Sequence, residues 1–90
     1  MMIPAGSVEY VHVDVTVTRE GQPTPATARM AFVRRRAVPT ERDWAPAAYE
    51  SGTVRRRYDG DLPPGGYDVW VEISAGDEVP LVNAGRLDLA

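Results

Sequence analysis

The chain has 90 residues, a formal net charge of −3 and no cysteine, which sets the size at one small domain and excludes disulfides, thiolate nucleophiles and Cys-based metal centres. Its single histidine, His12, excludes a multi-His metal site within one chain. An acidic balance argues against general coating of nucleic acid or anionic lipid.

All ten basic residues are arginine. Arginine, alanine, glycine and proline all have GC-rich codons, so part of this content reflects base composition rather than mechanism. Residues 1–7 contain neither a basic start nor an apolar stretch of signal-peptide length, and no leader is expected. No apolar run reaches the roughly 18 residues of a membrane span. The expectation is a product made and folded in a cytoplasm.

In chain order, residues 7–18 come first. Val11, Val13, Val15 and Val17 alternate with His12, Asp14, Thr16 and Thr18, the period-two pattern of a half-buried antiparallel strand. Glu20, Gly21, Gln22 and Pro23 then read as a turn. Residues 26–33 form a second strand, with Ala28, Met30 and Phe32 on one face. Flanking prolines decide against helix, despite good helix formers in the segment. Residues 36–51 read as irregular, with Thr40 to Asp43 resembling the start of one helical turn and Pro46 as its end. Trp44 and Tyr49 fall here; aromatics in a loop usually plug one end of a β core and less often form a binding surface.

Residues 53–58 make a short strand with Val54 and Tyr58 on one face. Asp59, Gly60 and Asp61 turn the chain, and Pro63 to Gly66 turn it again. Residues 67–74 alternate Tyr67, Val69, Val71 and Ile73 inward with Asp68, Trp70 and Glu72 outward. Residues 75–78 read as a hairpin connection. Residues 79–82 and 86–89 supply the last strand or two. Short strands with turns about every ten residues give an all-β single domain over residues 1–90: a small immunoglobulin-like, Greek-key β-sandwich of about seven antiparallel strands.

Few residues carry chemistry. Tyr67 after a glycine turn fits a tyrosine corner, which bonds back to nearby backbone. Two arginine triplets, Arg34 to Arg36 and Arg55 to Arg57, stand out. Alternation prevents a strand from showing a whole triplet on one face. On neighbouring strands, four of these arginines would form one basic patch for a partner's carboxylates or phosphates. Paired with Glu41, Asp43, Glu50 or Asp59, they are instead a solvated face. Asp59, Asp61 and Asp68 surround a Gly-rich turn but lack calcium-loop spacing. Trp70, outward between two carboxylates, is either a contact residue or is covered by the Trp44 loop. No nucleophile elbow or phosphate loop is present. No enzyme activity, metal or cofactor is expected.

The opening IPAGSVEYVHVDVTVT (residues 3–18), the loop DWAPAAYE (43–50) and the ending LPPGGYDVWVEISAGDEVPLVNAGRLDL (62–89) together resemble small immunoglobulin-like virion structural proteins of actinobacterial phages and prophages. The basic run Val54 to Arg57 departs from that pattern. The resemblance implies a non-enzymatic, capsid-associated (decoration or minor head) or head–tail connector protein. It would reside in the virion, be made in the host bacterial cytoplasm, and dock onto major capsid or neck proteins, with further copies of itself as additional partners. Membrane and nucleic acid are not expected partners. The candidate interface residues are Arg34, Arg35, Arg36, Trp44, Tyr49, Arg55, Arg56, Arg57 and Trp70. The alternative is a module binding carbohydrate or another small ligand, which asks for Trp44, Tyr49 and Trp70 on one exposed face.

Overall fold

The computed structural model describes residues 1–4, 6–15, 18–19, 22–23, 27–50, 52–74, 79 and 81–90. The chain is all-β. Its strands are β1 (Met2–Ile3), β2 (Glu9–Asp14), β3 (Thr18–Arg19), β4 (Gln22–Pro23), β5 (Thr27–Arg34), β6 (Trp44–Glu50), β7 (Thr53–Tyr58), β8 (Gly65–Ser74) and β9 (Leu81–Leu89). A 3-10 turn, Glu41–Asp43, precedes β6. Seven strands form one curled, mixed sheet in the order β1-β9-β8-β5-β6-β7-β2, and β3 with β4 makes a separate small ladder. All pairings in the large sheet are antiparallel except β1 with β9.

Connectivity explains the curl. β1 lies at one sheet edge and β2 at the other, yet only residues 4–8 separate them. Laid flat, six interstrand steps would span about 29 Å. The linking chain reaches roughly 20 Å at most. The sheet therefore bends into a half-barrel. The link passes so close to the β7–β8 turn that a Cβ on Gly60 would lie 2.7 Å from the Gly6 carbonyl oxygen, and Gly60 also has φ +76°. Glycine answers both demands.

The bend is concentrated in β6. Its first half pairs with β5, Ala47 opposite Ala28 and Trp44 opposite Ala31. Its second half pairs with β7, Ala48 opposite Arg55 and Glu50 opposite Thr53. The concave face holds the core. Met30, Val54, Val71, Ile73, Tyr58 and Leu87 are fully buried there. The inward sets foreseen for 28–32 and 67–73 are buried there, Ala28, Met30 and Phe32 on β5 and Tyr67, Val69, Val71 and Ile73 on β8. The tyrosine corner is also present: the Tyr67 hydroxyl donates to the Pro63 carbonyl at 2.7 Å.

Several expectations change. The first long strand ends at Asp14, and Thr18 belongs to the β3–β4 ladder. Residues 36–51 are not mainly irregular. The helical turn is there, with the Thr40 N–H donating to the Asp43 carboxylate at 2.7 Å, but β6 follows at once and runs through Pro46. Pro46 is tolerated because this stretch of β6 faces β5 alone; the β7 ladder starts at Ala48. The last segment is one strand, with a bulge at Ala84 between the pairs Val69–Gly85 and Trp70–Asn83. The turn expected over Glu20 to Pro23 is shorter, since Gln22 and Pro23 form β4 and pair with Arg19 and Thr18; Glu20, Gly21 and the 75–78 connection lie outside the described residues.

Candidate functional site

Strand alternation divides the second arginine triplet. On β7, Val54, Arg56 and Tyr58 point into the half-barrel, while Arg55 and Arg57 point out. Arg56 Nη1 donates to the Met30 carbonyl at 2.8 Å and to that of Asp43 at 3.4 Å. Its guanidinium carbon lies 4.5 Å from the centre of the Phe32 ring. It thus satisfies carbonyls at the point where β5 and β6 part. Burial lowers its pKa from the ordinary arginine value, and the charges of Asp61 and Asp59 work in the opposite direction. Arg56 is held by its own fold.

The outward pair faces solvent beside β2. Arg55 stands opposite His12 and Arg57 opposite Tyr10. The Arg55 guanidinium lies 5.6 Å from the Tyr10 ring centre, and the Tyr10 and His12 rings are 6.3 Å apart. Arg57 meets Asp59 at 2.8 Å, with both side chains largely exposed, a geometry worth little in water. Arg55 has no ion-pair partner among the described residues. A shallow recess of about 270 Å³ lies beside it, lined by His12, Glu50, Thr53 and Arg55. Tyr10 and His12 were not among the candidates from sequence, because their pairing with the arginine strand depends on strand order.

The first triplet is elsewhere. Arg34 ends β5 with its guanidinium 4.7 Å from the Tyr67 ring centre. Arg35 and Arg36 form the following turn. Arg36 has φ 68°, a left-handed conformation uncommon for this residue, and its N–H donates to Asp68 Oδ2 at 3.1 Å. β6 separates β5 from β7. The triplets are therefore not on neighbouring strands, and the joint four-arginine patch does not form. The acidic turn is also divided, since Asp68 serves Arg36 and Asp59 serves Arg57. Among the described residues no group of three or more His, Cys, Asp or Glu is placed to hold a metal ion.

Trp44 and Trp70 share the convex face of the sheet, one on each side of Ala31. Ala31 has no solvent exposure although it points away from the main core. The two indoles, both partly buried, roof it. Trp70 Nε1 is buried with no hydrogen-bond partner among the described residues. Arg29 borders this cluster. It forks onto Glu72 with bonds of 2.8 and 2.7 Å, reaches Glu41 at 2.7 Å, and lies 5.3 Å from the Trp44 ring centre. These bonds hold the Glu72 carboxyl below its ordinary range. Tyr49 is on the opposite, concave side, where it packs against the core and its hydroxyl donates to the Val15 carbonyl at 3.5 Å. The three aromatics thus do not share a face.

A groove of about 410 Å³ crosses one end of the half-barrel, its walls including Phe32, Val33, Val38, Leu62 and Pro63. Val38 is 77 % exposed. A smaller recess of about 160 Å³ adjoins it, with Arg42, Arg56 and Asp61 in its wall. The apolar residues Val38 and Leu62, each next to a proline in otherwise polar turns, are the sequence signal for this groove.

No helix in the described residues is long and apolar enough to cross a membrane. In comparison with known proteins, no family model, curated protein or solved structure matches the chain.

Proposed function

We propose that the chain is a non-enzymatic virion structural protein, capsid-associated or part of a head–tail connector, that works by docking onto other virion proteins. The observation that carries this reading is the exposed group Arg55, Tyr10 and His12 on the convex side of β2 and β7. An arginine stacked on a tyrosine, with no carboxylate of its own among the described residues, is the type of anchor that dominates protein interfaces. The rigid sheet behind it keeps the anchor in place at little entropic cost. The convex tryptophan pair offers a second contact face. The finer fold reading, an immunoglobulin-like Greek-key sandwich, is supported by the order β8-β5-β6-β7, three hairpin-connected strands with the fourth returning beside the first.

The test is quantitative mass spectrometry of purified particles from the source phage or induced prophage, counting this chain against the major capsid protein. A count scaling with the shell means decoration, and one matching a single ring means a neck part. Absence from particles overturns the proposal. The double substitution Arg55→Ser with Arg57→Ser should lower incorporation at least about tenfold, the effect of losing a hot spot, with the melting temperature unchanged. Unchanged incorporation would remove this surface from the reading.

A further inference from the structure

The two long edges of the sheet are finished differently. On β9 the free stretch is interrupted by the bulge at Ala84, and the Asn83 side chain accepts the Gly85 N–H at 3.1 Å. Beyond it, β1 covers the end of the strand. These are the devices by which proteins blunt an edge. Among the described residues β2 has none of them. It pairs with β7 in unbroken register over all of Glu9–Asp14, and among the described residues nothing pairs with its other side.

The free backbone groups of this edge can be assigned. Val15 N–H donates to the Gly52 carbonyl at 2.7 Å. In an antiparallel ladder, alternate residues exchange both bonds with their partner. Val15 therefore belongs to the bonded set with Val13, Val11 and Glu9. Tyr10, His12 and Asp14 direct their N–H and C=O groups outward. All three side chains are exposed.

From this pattern we infer that β2 is a self-association edge, pairing antiparallel with β2 of a second copy across a two-fold axis at His12. This goes beyond the proposed docking role and does not depend on it. Directly opposed residues in such a pair share a face, so the axis falls on a residue. Centred on His12, the pairing sets Tyr10 opposite Asp14 of the second copy and His12 opposite its equivalent. Every outward N–H and C=O of the three residues then finds a partner. Centred on Val11, the Asp14 groups are left over. The His12 register also sets Val11 opposite Val13 of the second copy on the concave side, extending the apolar face across the joint. On the convex side the row reads Arg57, Tyr10, then Asp14 and Thr53 of the second copy, so an acceptor side chain meets the tyrosine. The interface is isologous and closes at two copies.

The test uses the full chain in sedimentation equilibrium over roughly 5–500 µM, a range that brackets micromolar association. The expected result is a mass rising towards twice 9.9 kDa. His12→Pro removes the central outward N–H without removing a bond to β7, a position where an edge strand tolerates proline. It should raise the dissociation constant at least about a hundredfold and leave the circular dichroism spectrum unchanged. Amide exchange needs no variant. The Tyr10, His12 and Asp14 amides should slow as concentration rises, while Val11 and Val13 stay protected throughout. This readout decides the matter even if the proline variant fails to fold. A chain monomeric at every concentration, a dimer that survives His12→Pro, mass growing past the dimer, or amides at 10, 12 and 14 indifferent to concentration would each overturn the inference.

Discussion

Arg56 differs from its neighbours by the direction its strand position imposes. Truncating it removes the contact with Phe32 and leaves the Met30 carbonyl without its 2.8 Å donor. A hydrogen bond from a charged donor is worth about 1.5–3 kcal/mol, so Arg56→Ala should destabilise by that amount in urea unfolding. Arg55→Ala and Arg57→Ala, both exposed, should stay within about 0.5 kcal/mol of the wild type. Equal effects at the three positions would show that Arg56 does not cap the β5–β6 divergence. Glu72 supplies the pH dependence. Its folded pKa is lowered from the ordinary 4.5, first by its hydrogen bonds from Arg29. The unfolded chain therefore binds this proton more readily, and the contribution is present above about pH 4.5 and lost as pH falls through the lower folded value. Glu72→Gln should flatten the acid limb of a plot of urea midpoint against pH while leaving its slope between about pH 6 and 8 unchanged. An acid limb of wild-type steepness would mean that other carboxylates carry it.

At the level of elements, legibility follows side-chain size. β7 and β8 were readable because large apolar residues alternate with charges, as with Tyr67, Val69, Val71 and Ile73 against Asp68 and Glu72. β6 was not, because its inward set is Ala45, Ala47 and Tyr49, and alanine gives no contrast with the outward Ala48. Pro46 compounded this, since a proline in a strand is acceptable only when the neighbouring ladder spares it, and that depends on register. The candidate surfaces divide in the same way. The inward turn of Arg56 was implicit in the sequence, because Val54 and Tyr58 already marked that face. The meeting of Trp44 and Trp70 over Ala31, and of Arg55 with Tyr10 and His12, depends on which strands are neighbours. Local pattern does not encode strand order. It emerges only when several elements bury their apolar faces together.

The whole molecule is governed by the segment that begins the chain. β1 lies against β9 and β2 against β7, so strands from residues 1–14 form both edges of the sheet. Ile3 is the apolar tie at one end. It is 6 % exposed within the core, and its carbonyl accepts the Ala90 N–H at 3.0 Å. Ile3→Ala removes buried methyl groups and leaves a gap, which costs about 2–4 kcal/mol. For a domain of this size that lowers the melting temperature by roughly 10–25 °C. A plain cavity effect would speed amide exchange locally, at Leu89 and Ala90. If the segment instead fixes the curl of the half-barrel, loosening it at β1 also loosens the concave face that β2 and β7 help to close. Exchange at Val11 and Val13 should then rise together with that at Leu87 and Leu89, and calorimetry should show one transition. Rising exchange confined to the β1–β9 end would show that the two halves of the sheet are held by their own packing, and that the short link merely fits a curvature set by the core.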